Sequence, residues 1–92
     1  MREIYFENHF KKDIKRIKKR GLPLKELYAV IELLAQDTPL AAKYRDHALT
    51  GNFSGLRECH IRPDWLLIYR LHENKLILTL CRTGTHADLF QL

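Results

Sequence analysis

Three of the five histidines in this 92-residue chain stand where a strand is expected to end or a loop to turn. His47 lies in the Gly-punctuated stretch "YRDHALTGNFSG", His60 near the end of "LRECHIR", and His86 in the closing "RTGTHADLF". Asp64 follows His60 by four positions, at a turn, with Trp65 beside it. Imidazoles gathered near a carboxylate suit general acid and base catalysis, because an unperturbed histidine titrates near pH 6.5 and both takes up and releases protons around neutrality. Histidine and aspartate also ligate metals, but the chain has no HxxxH, HExxH or CxxC spacing, so neither a metal site nor a cofactor is expected. P-loop, dinucleotide and serine-elbow signatures are likewise missing from the sequence.

Other side chains suit an anionic substrate. Arg82 leaves a strand beside a Gly-containing turn, where a guanidinium makes bidentate phosphate contacts; its structural alternative is an ion pair with Glu58 or Asp88. Phe90 either packs on a sheet edge or stacks on an unpaired base. Lys11 and Lys15 belong to a basic run, "KKDIKRIKKR", that reads as a solvated helix face or as a contact for phosphate or an acidic partner. Some of that charge has a structural reason, since cations in a last turn oppose the helix dipole.

These residues need elements to position them. "REIYFE" suits a first strand, and Asn8 is placed to cap the helix that follows. Phe10, Ile14 and Ile17 recur at helical spacing up to a stop at Gly21. Pro23 fits the first turn of a second helix with the stripe Leu24, Leu27, Val30, Ile31 and Leu34, making an antiparallel hairpin with the first. Residues 40–55 read as a long irregular connection. "LRECHIR" (56–62), "WLLIYRL" (65–71) and "KLILTLC" (75–81) then form an antiparallel meander, with turns at Pro63-Asp64 and His72-Glu73-Asn74. "WLLIY" is apolar on both faces and belongs at the centre. The first and third of these strands end at the same sheet edge, so His60, Asp64 and His86 are expected to converge.

A chain of this length supports one α+β domain, residues 1–92, rather than two. Its formal charge of +5 makes a polyanionic partner plausible without proving one. The N-terminal segment has no apolar signal region, and no stretch reaches membrane-spanning length, so no membrane partner is expected and a cytoplasmic location is. Cys59 and Cys81, both in strand-like segments, read as reduced core thiols.

In their order and separations, "DHALTG", "HIRPDW", "LLIY" and "RTGTHADLF" resemble the YafQ-type branch of the RelE/ParE toxin superfamily, over roughly the last fifty residues. Phe53 and Leu56 depart from it, standing where close relatives often carry tryptophan and another aromatic. The resemblance implies a RelE-like, microbial-ribonuclease-like fold, with an N-terminal strand and a helix hairpin packed on a twisted antiparallel sheet. It also implies a type II toxin that cuts mRNA in the ribosomal decoding site by 2'-hydroxyl attack. Carried onto this chain, His86 becomes the general acid, Asp64 or His60 the base, and Arg82 and His47 the phosphate ligands; Phe90, Trp65, Lys11 and Lys15 become RNA contacts. The implied partners are a cognate antitoxin, the ribosome with its mRNA, and operator DNA through the antitoxin complex. Two alternatives remain open at this point: a non-enzymatic toxin like the ParE group acting on gyrase, and a plain RNA-binding module.

Overall fold

A computed structural model describes residues 1–72 and 75–90. Its elements are β1 (Glu3–Phe6), α1 (Asn8–Lys19), α2 (Leu24–Ala35), β2 (His47–Ala48), β3 (Arg57–Arg62), β4 (Trp65–His72), β5 (Ile77–Gly84) and α3 (His86–Phe90). Two 3-10 turns, Ala42–Tyr44 and Gly51–Phe53, flank β2. The sheet order is β1-β5-β4-β3-β2, which puts the doubly apolar "WLLIY" strand at the centre as its composition requires.

The helix hairpin covers one sheet face. Phe10 and Ile17 from α1, and Leu27, Val30, Ile31, Leu34 and Ala35 from α2, pack on Cys59, Ile61, Trp65, Leu67, Tyr69, Leu78 and Leu80. Fully burying each large aliphatic or aromatic side chain contributes about 1.5–3 kcal/mol, so this one core supplies most of the driving force. Strand alternation sends Glu58, His60, Leu66 and Ile68 to the opposite face. No helix among the described residues is long and apolar enough to cross a membrane.

Several local expectations change. Glu7, not Asn8, is the N-cap of α1 and makes no side-chain cap bond, because Asn8 has already entered the helix. Pro23 caps α2 from outside in an extended conformation instead of opening its first turn. The sheet is not wholly antiparallel: β1 runs parallel to β5, pairing Glu3 with Ile77 and Phe6 with Leu80. The hairpin carries the chain back across the face before the meander starts, and that returns β1 beside the last strand. Part of the irregular connection is ordered by pairing, His47 lying opposite Glu58 in the β2–β3 ladder. Of the turn expected at residues 72–74, Glu73 and Asn74 lie outside the described residues.

The last strand runs three residues beyond its expected end, to Gly84, and carries a bulge. Ile68 pairs with Arg82 whereas Tyr69 pairs with Leu80, leaving Cys81 as the extra residue. One inserted residue exchanges the faces of everything after it. Thr83 therefore joins Trp65 on the helix side, where its hydroxyl accepts the indole N–H at 3.0 Å and donates to the Leu66 carbonyl at 2.7 Å.

Candidate active site

Glu58 sits under the site, its side chain only 8% exposed. His60 Nε2 lies 3.3 Å from its Oε1, and His47 Nε2 lies 3.6 Å from the same oxygen. Strand geometry accounts for both neighbours: His60 is two residues along β3 on the same face, and His47 is the cross-strand partner on β2. The other ring nitrogens are tied to backbone carbonyls. His47 Nδ1 is 2.7 Å from the Arg45 oxygen, and His60 Nδ1 is 3.3 Å from that of Pro63.

His86 reaches the cluster from the other side. Oδ1 of Asp64 accepts the His86 backbone N–H at 2.9 Å and stands 2.6 Å from its Nδ1, so one carboxylate oxygen fixes both the helix start and the ring. The same two bonds, backbone first, hold Asp64 below the usual aspartate range. With Nδ1 engaged, Nε2 is the nitrogen left for a substrate. The ring centroids of His60 and His86 are 5.8 Å apart, and those of His47 and His60 are 6.5 Å apart. The row continues through Phe90, 6.5 Å from His86, to Phe53, which meets Phe90 edge-on at 5.3 Å. His47, His60, Asp64, His86 and Phe90 are thus brought together, and Phe53 supports the outer end of the row.

His86 opens a helix where an unstructured turn was expected. Thr85 caps that helix: its hydroxyl accepts the Asp88 N–H at 3.1 Å, and its own N–H donates to Asp88 Oδ2 at 3.0 Å, a reciprocal capping box. Gly84 makes room for this at φ +155°, since a Cβ there would stand 2.8 Å from Asp88 Oδ2. Asp88 also receives a two-point bond from Arg20, at 2.5 and 2.9 Å, and an ion pair from Arg16 at 3.2 Å. Two arginines of the basic helix therefore hold α3 in place.

The Arg20 bond, followed by the Thr85 N–H, keeps Asp88 far below its ordinary 3.8. A depressed folded-state value stabilises the fold in full above the unfolded value, and that stabilisation fades as pH falls through the folded one. We expect Asp88→Asn to lower Tm by a few degrees at pH 7. In melts at decreasing pH, the gap to wild type should narrow below about pH 4.

Other expected substrate contacts sit differently. Trp65 is 2% exposed and hydrogen-bonded inside the core, so it is not a surface for RNA; beginning the central strand buries it. Arg82 pairs with neither Glu58 nor Asp88 but with Asp13 of α1, through Nε at 2.7 Å and Nη2 at 3.2 Å. Its Nη1 makes no hydrogen bond among the described residues, and the side chain borders an open cleft of about 270 Å³ shared with Phe53, Leu56 and Arg70. Lys11 and Lys15 are exposed on α1 and form no ion pair among the described residues. Burial pushes Cys59 and Cys81 up to about 12, so both remain thiols and neither serves as a nucleophile near neutral pH.

Two residues escaped the sequence reading as parts of the site. Glu58 was visible as the alternate neighbour of His60 on a strand. Asp13 was visible as a lone acid on the apolar stripe between Phe10 and Ile17. Folding also assembles a donor set that linear spacing hides: single ligand atoms of Glu58, His60 and His86 lie within 4.8 Å of one another. A carboxylate and two imidazoles are chemically suited to a zinc- or copper-type cation.

Comparison with known proteins follows this geometry. The profile of the family described as "Bacterial toxin of type II toxin-antitoxin system, YafQ" matches residues 2–91. The mRNA interferase toxin YafQ of Escherichia coli strain K12 is 42% identical over 90 residues, covering 97% of this chain and 96% of that protein. The crystal structure of YafQ from E. coli BL21(DE3) superposes with a TM-score of 0.91 at 42% identity, over 98% of this chain and 99% of that one. The E. coli DinJ–YafQ complex gives 0.89 at 42% identity, with the same coverage. A metal-bound toxin from Helicobacter pylori gives 0.91 at 44% identity, over 98% and 100% of the two chains.

Proposed function

The chain belongs to the YafQ family of bacterial type II toxins, and from that premise we propose that it is an endoribonuclease that cuts mRNA on the ribosome. The observation carrying this reading is the row of three imidazoles, two of them on one buried carboxylate, with His86 locked to Asp64 and its Nε2 left free. The RNA 2'-hydroxyl attacks the adjacent phosphorus, the bond from phosphorus to the 5'-oxygen breaks, and a 2',3'-cyclic phosphate and a 5'-hydroxyl result. His60 takes the 2'-hydroxyl proton on Nε2 while Pro63 holds its Nδ1–H, and Glu58 then stabilises the imidazolium formed. His86 gives its Nε2 proton to the departing 5'-oxygen, with Asp64 orienting the ring. His47 and the free Nη1 of Arg82 bind the phosphate; Phe90 holds a base; Lys11 and Lys15 meet ribosomal RNA phosphates.

Each proton transfer supplies about 10²- to 10⁴-fold, and positioning by the ribosome supplies much of the remainder, so free RNA should be a poor substrate. A cognate antitoxin holds the toxin inactive, and their complex contacts operator DNA through the antitoxin, as the DinJ partner of the E. coli relative suggests. The site of action is the cytoplasm, where translation occurs.

A cation held by Glu58, His60 and His86 would supply Lewis-acid polarisation of a phosphate oxygen. It would also occupy ring nitrogens that the proton transfers require, and we therefore assign the reaction to the side chains alone. Cleavage on ribosomes kept intact by a polyamine should persist at an unchanged rate after a transition-metal chelator is added; loss of cleavage would return the metal to the mechanism. Mapping of 5'-hydroxyl ends after induction in translating cells tests the reading as a whole. Codon-positioned ends are expected, and intact transcripts alongside growth arrest would transfer the case to a non-enzymatic toxin.

A further inference from the structure

A cavity of about 570 Å³ lies between α2, the Ala42–Tyr44 turn and the end of β3, outside the histidine row but sharing His60 with it. Ligand pockets run to about 300–1,000 Å³, so there is room for a nucleotide. One wall is apolar, formed by Ala29, Ile61 and Pro63. Of the cations at its rim, Arg62 is already neutralised by Glu26 through bonds of 3.0 and 2.7 Å. Lys43, which lies over the Tyr44 ring at 5.1 Å, and Arg45 form no ion pair among the described residues.

The backbone at Arg45 ties this cavity to the catalytic row. Arg45 has φ 48°, a left-handed conformation that a non-glycine residue adopts at a cost of about 1–2 kcal/mol. The next residue anchors it: Asp46 bonds Arg57 at 3.1 Å and accepts the Tyr69 hydroxyl. The turn so held points the Arg45 carbonyl at His47 Nδ1, and Arg45 itself lines the cavity. Strain held in place by its surroundings is common at functional sites.

We propose that this cavity is the subsite for the nucleotide that supplies the attacking 2'-hydroxyl, its base on the Ala29–Ile61–Pro63 wall and its 5'-phosphate on Lys43 and Arg45. The assignment rests on the endonuclease reading, with His60 as base, because His60 belongs both to the catalytic row and to the lining of this cavity. It makes this pocket a determinant of which base stands before the cut.

The test uses the whole toxin on ribosomes carrying an mRNA with or without an abasic ribose, 2'-hydroxyl intact, immediately before the cut. Ala29 is exposed on α2, and Ala29→Trp fills the cavity without entering the core. Abasic mRNA is expected to slow the wild type about tenfold, Ala29→Trp to slow cutting of intact mRNA about as much, and the two together to slow it no further, because both remove one contact. Lys43→Glu, a reversal at an exposed residue, should raise the toxin concentration for half-maximal rate about tenfold at an unchanged maximal rate. Wild-type speed in both variants, or effects of filling and abasic substitution that multiply, overturns the subsite while leaving the nuclease intact. A wild type that cuts neither mRNA overturns the nuclease reading and the subsite with it. Unchanged thermal melting confirms the fold of each variant, and if Ala29→Trp melts early, Lys43→Glu decides.

Discussion

Replacing His86 by alanine is expected to lower mRNA cleavage on programmed ribosomes by about 10²- to 10⁴-fold and to abolish growth arrest on induction. The expectation follows from position. His86 Nε2 is the ring nitrogen left free by the Asp64 bond, and the side chain is 41% exposed, so the substrate can reach it. A purely structural role predicts a different result, because Ala87, Leu89 and the Thr85–Asp88 capping box are untouched and the helix start keeps its backbone bond to Asp64. Single-turnover rates with saturating toxin separate the two cases. Full-speed cutting by the variant would remove His86 as the proton donor. Asp64→Asn should fall between the two proteins, since an amide still orients the ring but no longer balances its positive charge.

The second large effect is on stability. Asp13 is 1% exposed, and its carboxylate answers four donors: Arg82 Nε, Arg82 Nη2, the backbone N–H of Thr83 and, at 3.4 Å, Arg16 Nη2. β1 ends at Phe6, opposite Leu80, so the edge of β5 beyond that point has no strand to pair with. Asp13 fills that role, a side chain of α1 satisfying a sheet edge. Asp13→Ala leaves a guanidinium and a backbone donor without partners, which costs roughly 3–5 kcal/mol. At about 4–8 °C per kcal/mol for a domain of this size, Tm should fall by more than about 10 °C. A melt within two or three degrees of wild type would show that water satisfies the edge as well as Asp13 does.

Periodicity carried much of the architecture, and its failures have identifiable physical causes. The two helices and three long strands repeat apolar residues at 3.6 and 2, and these elements were legible to within a few residues at most ends. The Cys81 bulge was not, because one extra residue breaks a period of two without leaving any mark in composition. It therefore concealed that Thr83 and Arg82 exchange sides, and with that the true partner of Arg82. The last helix was concealed by its brevity, although Thr85 and Asp88 already spelled a capping box. The parallel placement of β1 depends on the return path of the hairpin, which no local pattern encodes. Within the site, His60, Asp64 and His86 were foreseen to converge because the ends of β3 and β5 share an edge. Glu58 was passed over as an ordinary charge on a half-exposed strand. Only the β2–β3 register, which places His47 across from it, reveals it as the carboxylate beneath two imidazoles.

The parallel pairing of β1 with β5 bears on when the site is assembled. Glu3 meets Ile77, so the first strand to be synthesised has no place in the sheet until the last of the described strands exists. Pairing across so long a stretch of chain is slow compared with hairpin closure. The same late strand delivers Thr83 to Asp13 and carries the helix bearing His86. Until β5 is in place the chain therefore has neither a closed sheet nor a positioned His86, and it gains both together.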